Sequence, residues 1–599
     1  MPRSTVSPRR SHAPGTVAIC HSSPVTDATS RLRRLPRPLR AFLGSFSGPG
    51  LAVALVMFAA ALGPALTPRP TMYQGAAAGA AAISGYGLTV LVVWLARFVG
   101  VRPSWSPAAR RRGWIALAVA TVVLVPASLV VSATWQSRLR EIMGMAPSEG
   151  SQPVAIVLIA LVLALVFLGV GRGLRGLSRF VARQLGRVLP AQAARLGAVA
   201  IVTVLAVLFV NGTVVSGARS LLNSTFSELD IQTHARVESP TRSESSGSPD
   251  SLAAWDTLGR EGRSFVAGVR PTAEIAGIVE RTGADVEVTE PIRTYAGLAS
   301  ADGFEAQAEL VVAELDRTRA WDREALLVVA TTGTGWVDPG LSRTFEALWG
   351  GNTAIAAMQY SYLPSWISFV GDRGTPAEAA RTLFETVRAR WLELPEVSRP
   401  RLYVAGISLG SFGSQGTFAS LQDVAERVDG AVWVGTPGFT PLWQELTAAR
   451  DTRSPQIAPV LDGGARARWG TPSSDDAGLD LFALGEDWDA PRVVYLQHAS
   501  DGVTWWSPDL IFSQPDWARE PRGYDVLPEV RWVPVATFFA LSIDLFVAGE
   551  APNGHGHNFL TEYADGFAAV ATPPGWTPEA TDTLREIVGT WDDADRTSS

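Results

Sequence analysis

Leu402-Tyr-Val-Ala-Gly-Ile-Ser-Leu-Gly410 is an apolar run that ends in a Gly-x-Ser-x-Gly pentapeptide, Gly406 to Gly410. The four residues Leu402–Ala405 predict a buried strand, and Ser411, Gly413, Ser414 and Gly416 open a helix whose small residues let neighbours come close. A serine on such a strand-to-helix turn sits on strained backbone, and the glycines two places before and after it are needed because strand and helix crowd the turn. Taken alone, the pentapeptide also fits an idle serine in a Gly-rich turn. The strand before it and the helix after it point instead to a nucleophile at Ser408.

Outward from this turn, residues 253–599 alternate short β-branched runs with helical stretches. Candidate strands are Leu326–Ala330, Thr353–Gln359, Leu402–Ala405, Gly430–Val434, Val493–Gln497 and Val530–Val535, with amphipathic segments such as Glu305–Arg319 and Pro376–Trp391 between them. That alternation predicts an α/β domain, a mainly parallel sheet with helices on both faces, whose reactive loops lie at the C-terminal ends of the strands.

A serine at its ordinary pKa is a poor nucleophile and requires a base held by an acid. This half of the chain has four histidines. His234 lies in a Ser/Pro-rich stretch and His498 ends a strand, which leaves the pair in Gly554-His-Gly-His-Asn-Phe559. His557, beside a helix expected from about Leu560 to Val570, is favoured as base, and His555 stays a candidate. Zinc bound by this His-x-His lacks a third ligand nearby, so neither a metal nor another cofactor is expected. Asp501, a few residues past the strand Val493–Gln497, is the expected acid, although an Asp-Gly turn gives it a plain structural use as well. The chain order Ser408, Asp501, His557 differs from the orders of chymotrypsin and subtilisin. The oxyanion hole would combine the backbone N–H of Leu409 with one from Thr332-Gly333-Thr334-Gly335, a Gly-rich turn after the strand Leu326–Ala330.

Five stretches carry a resemblance: Thr332-Gly-Thr-Gly-Trp-Val-Asp338, Gln359-Tyr-Ser-Tyr-Leu-Pro-Ser-Trp366, Gly406–Gly410, Tyr495-Leu-Gln-His-Ala-Ser-Asp501 and Gly554–Phe559. On these the chain resembles the actinobacterial integral-membrane α/β-hydrolases, over nearly all of the second half. The resemblance implies a serine-hydrolase fold behind several N-terminal transmembrane helices, and leaves the substrate undefined. The apolar stretch Thr537–Val547, between the last candidate strand and the histidine pair, departs from the simplest hydrolase plan.

The first half is of another kind. The 599 residues are 47% hydrophobic and 18% charged, with a mean hydropathy of +0.15, which excludes disorder or coiled coil as a description of the whole chain. Apolar stretches near 42–66, 73–98, 114–134, 153–170 and 196–216 are each long enough for a helix across a ~30 Å hydrocarbon layer. They define an N-terminal α-helical transmembrane domain of about five helices. Gly48-Pro49-Gly50 interrupts the first, and Gly75-x-x-x-Gly79 gives the second a small-residue packing face. No span carries a mid-membrane acid or histidine that would serve an ion pathway.

Residues 1–216 hold 22 Arg and 3 acids, leaving 29 Arg and 54 acids after them. Arg crowds the tail 1–41 and the loops after the second and fourth spans, while Arg69, Arg138 and Arg140 are alone in the other two. Basic residues near span ends stay on the cytoplasmic side, so the tail is expected inside and the second half outside. An acidic second half excludes general nucleic-acid binding. Cys20 is the only cysteine, which excludes an internal disulfide or a Cys-based metal site.

The segment 217–252, containing Glu238-Ser-Pro-Thr-Arg-Ser-Glu-Ser-Ser-Gly-Ser-Pro-Asp250, reads as an extracytoplasmic linker giving the domain 253–599 a reach of roughly 30 Å. The long interval 438–490 reads as a cap-like insertion. Trp433, Trp443, Trp505, Trp506 and Trp517 are explained mostly by core packing, with some left to line an acyl cleft. These readings converge on a membrane-anchored serine hydrolase forming an acyl-enzyme from an ester of the cell envelope, a lipid or acylated glycan. Membrane lipids and the acyl ester are the expected partners. An acyltransferase with the same triad, or a non-catalytic assembly module on the same fold, are the alternatives.

Overall fold

The computed structural model describes residues 45–591 apart from 102–104, 149, 151, 475–477 and 486. The basic tail 1–41, Cys20 and Arg102 lie outside them. All five apolar stretches contain helices: α1 (Gly48–Ala61), α2 (Thr71–Phe98), α3 (Pro107–Ile142), α4 (Pro153–Leu185) and α5 (Ala191–Phe209). Four of these, α2 to α5, are long and apolar enough to cross a membrane. With its 14 residues α1 reaches about 21 Å, short of a full hydrocarbon layer.

Gly48-Pro49-Gly50 begins α1 rather than interrupting it. Proline in a first turn forfeits no helix hydrogen bond, and Ser47 caps the end by accepting from Gly50 N at 3.3 Å. After Ala61 the chain leaves the helix and forms a turn, 62–70, with Ala65, Leu66 and Thr67 buried. Successive helices alternate in direction. Arg172 of α4 donates to Ser45 Oγ at 2.8 Å and lies over Phe46, which puts the start of α1 at the end of the bundle that carries Arg97, Arg110–Arg112 and Arg172–Arg195. Gly75 and Gly79 let α2 meet α4: an ideal Cβ on Gly79 would fall 2.8 Å from Ala160 O.

The second half is a seven-stranded sheet, wholly parallel, of β1 (Ile292–Ala296), β2 (Ala325–Ala330), β3 (Thr353–Met358), β4 (Arg401–Ile407), β5 (Gly430–Val434), β6 (Ala467–Gly470) and β7 (Arg492–Leu496) in the order β1-β3-β2-β4-β5-β7-β6. Alternate strand residues feed two apolar layers, one containing Leu326, Val404 and Trp433 and the other Leu327, Tyr403 and Val432. Helices cover both faces.

Four expectations need correction. Val530–Val535 forms no strand; Pro534 has no N–H for a ladder, and the segment instead lies against the turn 62–70, where Val530 and Val533 line an interface cavity with Leu66 and Arg69. Nor is 217–252 a flexible linker: Ser216–Asp230 is helical, Ser245 and Ser246 are buried, and the segment is hydrogen-bonded to β1 through Arg293 N to Glu244 O at 3.1 Å and Ser246 N to Arg293 O at 3.0 Å. The interval 438–490 is more than a cap, since it supplies β6 to the sheet. All five tryptophans are buried in one core cluster, so none is left as an exposed cleft wall.

The two halves are docked rather than tethered. Ala65, Leu66, Leu139 and Met143 of the helical half belong to the same apolar cluster as Val503, Trp505, Trp517 and Leu541, and Ala536 joins the cluster inside the bundle.

Candidate active site

Strand β4 ends at Ile407, and α6 (Leu409–Gln415) begins at Leu409. Ser408 between them has φ 56° and ψ −125°, a conformation that costs a non-glycine residue energy and persists only where its surroundings hold it. The surroundings explain the two glycines. An ideal Cβ on Gly406 would fall 2.4 Å from Gly410 C, and one on Gly410 would fall 2.1 Å from Ala330 O at the end of β2. Behind the turn, Ser411 and Thr436 share a 2.7 Å hydrogen bond, and Gln415 bridges them to the Tyr495 hydroxyl at 3.0 Å.

Leu409 is the first residue of α6, where an N–H has no intrahelical acceptor. In the neighbouring loop the amides of Thr332, Gly333 and Gly335 are committed to Trp336 O, the Tyr360 hydroxyl and Thr332 O. The Thr334 amide is the one of the four with no hydrogen bond among the described residues.

His557 Nδ1 lies 2.7 Å from Asp501 Oδ2. Asp501 is fully buried and caps the helix Gly502–Trp505, accepting from Val503 N at 2.8 Å and from Thr504 Oγ1 at 3.0 Å, so its position and orientation are fixed. The Nε2 of His557 is buried without a hydrogen-bond partner among the described residues. Its ring rests on Gly435: an ideal Cβ there would fall 2.4 Å from Cε1, at a backbone φ of +50° that already favours glycine. Gly435 directly follows Val434, whose carbonyl accepts from Ser408 N at 3.0 Å. The His–Asp pair and the strained serine thus flank the end of β5.

The other histidines have different partners. His555 Nδ1 is 3.2 Å from Asp525, which also accepts from Ser500 Oγ, and Ser500 Oγ takes the Gly556 N–H at 2.8 Å. His498 stacks on Phe559, with Nδ1 3.0 Å from Gly556 O and Nε2 2.9 Å from Glu562. Burial alone would lower the His498 pKa, but the hydrogen bond and charge of Glu562 outweigh it and hold it above its ordinary 6.5. Burial opposes the Glu562 charge in turn, yet the bond to His498 keeps its carboxyl below 4.5. His234 is away from this loop, paired with Glu261 at 3.0 Å. Sequence reasoning missed Asp525, Glu562 and Gly435; each meets its histidine through the tertiary fold, and no local spacing announces it.

A serine on a strained turn at the C-terminal edge of a parallel sheet, with a His–Asp pair on a neighbouring strand end, is the arrangement of the α/β-hydrolase class. Residues 292–584 match the model of an alpha/beta-hydrolase family, and residues 62–269 match the model of that family's N-terminus. The chain belongs to this family, helical half included. No curated protein and no solved structure matches it.

Proposed function

We propose that the protein is a membrane-anchored serine hydrolase in which Ser408, His557 and Asp501 act as nucleophile, base and orienting acid on a neutral acyl ester. Ser408 Oγ attacks the ester carbonyl carbon while its proton passes to His557 Nε2. The oxyanion takes hydrogen bonds from the N–H groups of Leu409 and Thr334. Collapse breaks the acyl–oxygen bond, His557 returns the proton to the departing alcohol, and an acyl-Ser408 remains. Water then adds to the acyl carbon as its proton passes to His557, and His557 returns that proton to Ser408 Oγ as the acyl–Oγ bond breaks, releasing the acid and restoring the serine.

One observation carries the reading: a serine held at positive φ whose backbone bonds to Val434, with the ring of an Asp-held histidine resting on the next residue, Gly435. Phe412 of α6, four residues after Ser408 and only partly buried against the core, supports an apolar acyl moiety. The ester would belong to the envelope, because the strand ends that carry Ser408 and Asp501 face the bundle. Trp366 and Phe546, each partly exposed, meet there with tilted rings at 5.2 Å, and Tyr73 at the start of α2 stacks on Phe546 at 6.4 Å, as aromatic residues do at a membrane surface. The same proposal puts the hydrolase outside and the N-terminus inside, since the basic segments sit at the bundle end opposite the sheet.

The test is labelling of the purified full chain by a fluorophosphonate, which reacts only with an activated serine. Labelling of the wild type and none of Ser408→Ala supports the enzyme; equal labelling of both refutes it. Product analysis with an added alcohol then separates hydrolysis from acyl transfer. For orientation, an active C-terminal alkaline phosphatase fusion is expected, and an inactive one reverses the topology.

A further inference from the structure

The turn 62–70 of the helical half meets the histidine loop through Thr67 and the Asp501 turn by way of Asp544. Arg69 closes a bidentate pair with Asp544, through Nε to Oδ1 and through Nη2 to Oδ2 at 2.8 Å, while its Nη1 donates to Ala61 O at the end of α1 at 3.4 Å; both side chains are essentially inaccessible. Its backbone is fixed as well, with Arg69 N donating to Gln136 Oε1 at 2.7 Å and Gln74 Nε2 donating to Arg69 O at 2.8 Å. Asp544 ends the helix α7 (Ala536–Asp544), which packs on α1 and α2 and against the helix Gly502–Trp505. Its Cβ would be 3.1 Å from a Cβ on Gly502, the residue after Asp501. Two residues before Arg69, the Thr67 methyl lies 3.2 Å from where a Cβ on Gly556 would be, and Gly556 is the residue between His555 and His557.

We propose that Arg69, through Asp544, is a positioning residue of the catalytic site, and that the turn 62–70 backs both the acid and the base. The inference rests on the serine-hydrolase reading and extends it: the helical half completes the active-site frame. A guanidinium and a carboxylate removed from water hold one relative geometry, because any separation leaves a buried charge unpaired. The Asp501 turn and the Gly556 peptide therefore have a fixed wall on the membrane side. On the other side the same peptide is held by Ser500 and His498.

The bundle and sheet share a second ion pair that makes a control. Arg138 and Glu529 meet at 2.6 Å, both about 40% exposed, with neither against the histidine loop. The experiment measures kcat and KM for a p-nitrophenyl acyl ester on the full chain in detergent, with Arg69→Ala, Asp544→Asn and Arg138→Ala beside the wild type, and with fluorophosphonate titration giving the folded, reactive fraction. A misplaced triad loses on the order of a hundredfold. The expected result is that loss in kcat for Arg69→Ala and a smaller one for Asp544→Asn, with KM near wild type, while Arg138→Ala stays within about twofold. The double variant Arg69→Asp/Asp544→Arg should recover part of the loss. Equal kcat values for Arg69→Ala and Arg138→Ala would overturn the inference. Should Arg69→Ala fail to fold, the near-isosteric Asp544→Asn decides, and wild-type kcat in it overturns the inference equally. A wild type that is neither labelled nor active fails the serine-hydrolase reading instead.

Discussion

In the bundle Val122 is 75% exposed and Leu158 54%, whereas Leu326 and Ile355 of the sheet are completely buried. The two halves point their apolar surface in opposite directions. Helices α2 to α5 turn large side chains outward and meet through small ones, Gly75, Ala78 and Gly79, as suits helices whose surroundings are themselves apolar. The sheet buries its branched residues under helices, as in water. What the difference teaches concerns the turn 62–70, which follows neither rule: it is buried, partly polar and wedged between the halves, as expected of an interface within one working unit.

The largest expected effects fall on the sheet half alone. Ser408→Ala should lower ester turnover by about ten thousandfold or more without changing the bundle, measured as kcat/KM in detergent. His557→Ala should match it. His555→Ala should cost less than about tenfold, because its partner Asp525 belongs to the loop scaffold and its loss leaves the His557–Asp501 pair in place. Equal losses in the two histidine variants would reopen the assignment of the base.

Next comes Gly435→Ala, where the added methyl meets the His557 ring. A loss on the order of a hundredfold in kcat is expected, with an unchanged melting temperature for the bundle; full activity would mean that the ring does not work from this position.

In the bundle the sharpest single change is Gly79→Ala, whose methyl would lie 2.8 Å from Ala160 O and push α2 from α4. It should destabilise the helical half by about 1–3 kcal/mol, read by thermal unfolding in detergent. Val122→Leu, on the outward face, should be neutral. If both variants behave alike, the contrast between inner and outer faces fails.

The smallest effect is that of pH on the His498–Glu562 pair. Glu562, held below 4.5, contributes stability that is present above that pH and lost as pH falls through its lowered pKa. His498, held above 6.5, contributes stability that is present below 6.5 and lost as pH rises through its raised pKa. The pair should stabilise the sheet half most between 4.5 and 6.5, and Glu562→Gln should flatten the decline above 6.5, a slope of at most about 1.4 kcal/mol per pH unit. An unchanged slope in that variant would assign the pH dependence elsewhere.

The strands that were legible in the sequence are those whose apolar runs are unbroken, β2, β3, β4, β5 and β7. The two that were not, β1 and β6, each carry a buried arginine. Arg293 is neutralised by Glu346 at 2.6 and 2.8 Å, and Arg468 donates to the carbonyls of Gly464, Leu481, Gly485 and Asp487. A charge inside a five- or four-residue strand erases the hydropathy signal, while its partners come from distant segments that no local window contains. In the same way Ser408, Asp501 and the histidine pair stood out by chain order and by turn chemistry. The roles of Asp525 and Glu562 did not, because they depend on side chains meeting across the fold. The Ser/Pro-rich composition of 232–252 suggested a linker because it lacks apolar periodicity, yet serines that bond to a strand's backbone need none.

That serine strap has a consequence for how the molecule tolerates crowding. The outer edge of β1 would otherwise offer free N–H and C=O groups to any strand that drifted past, and Glu244 and Ser246 occupy both groups of Arg293. At the far side Val460 bridges to Arg468 of β6 in the same manner. Proteins confined to a surface meet one another far more often than they do in bulk water, and an open sheet edge there invites chain-to-chain pairing. With both margins hemmed by the protein's own irregular segments, the sheet can sit densely on a membrane without being lengthened by its neighbours.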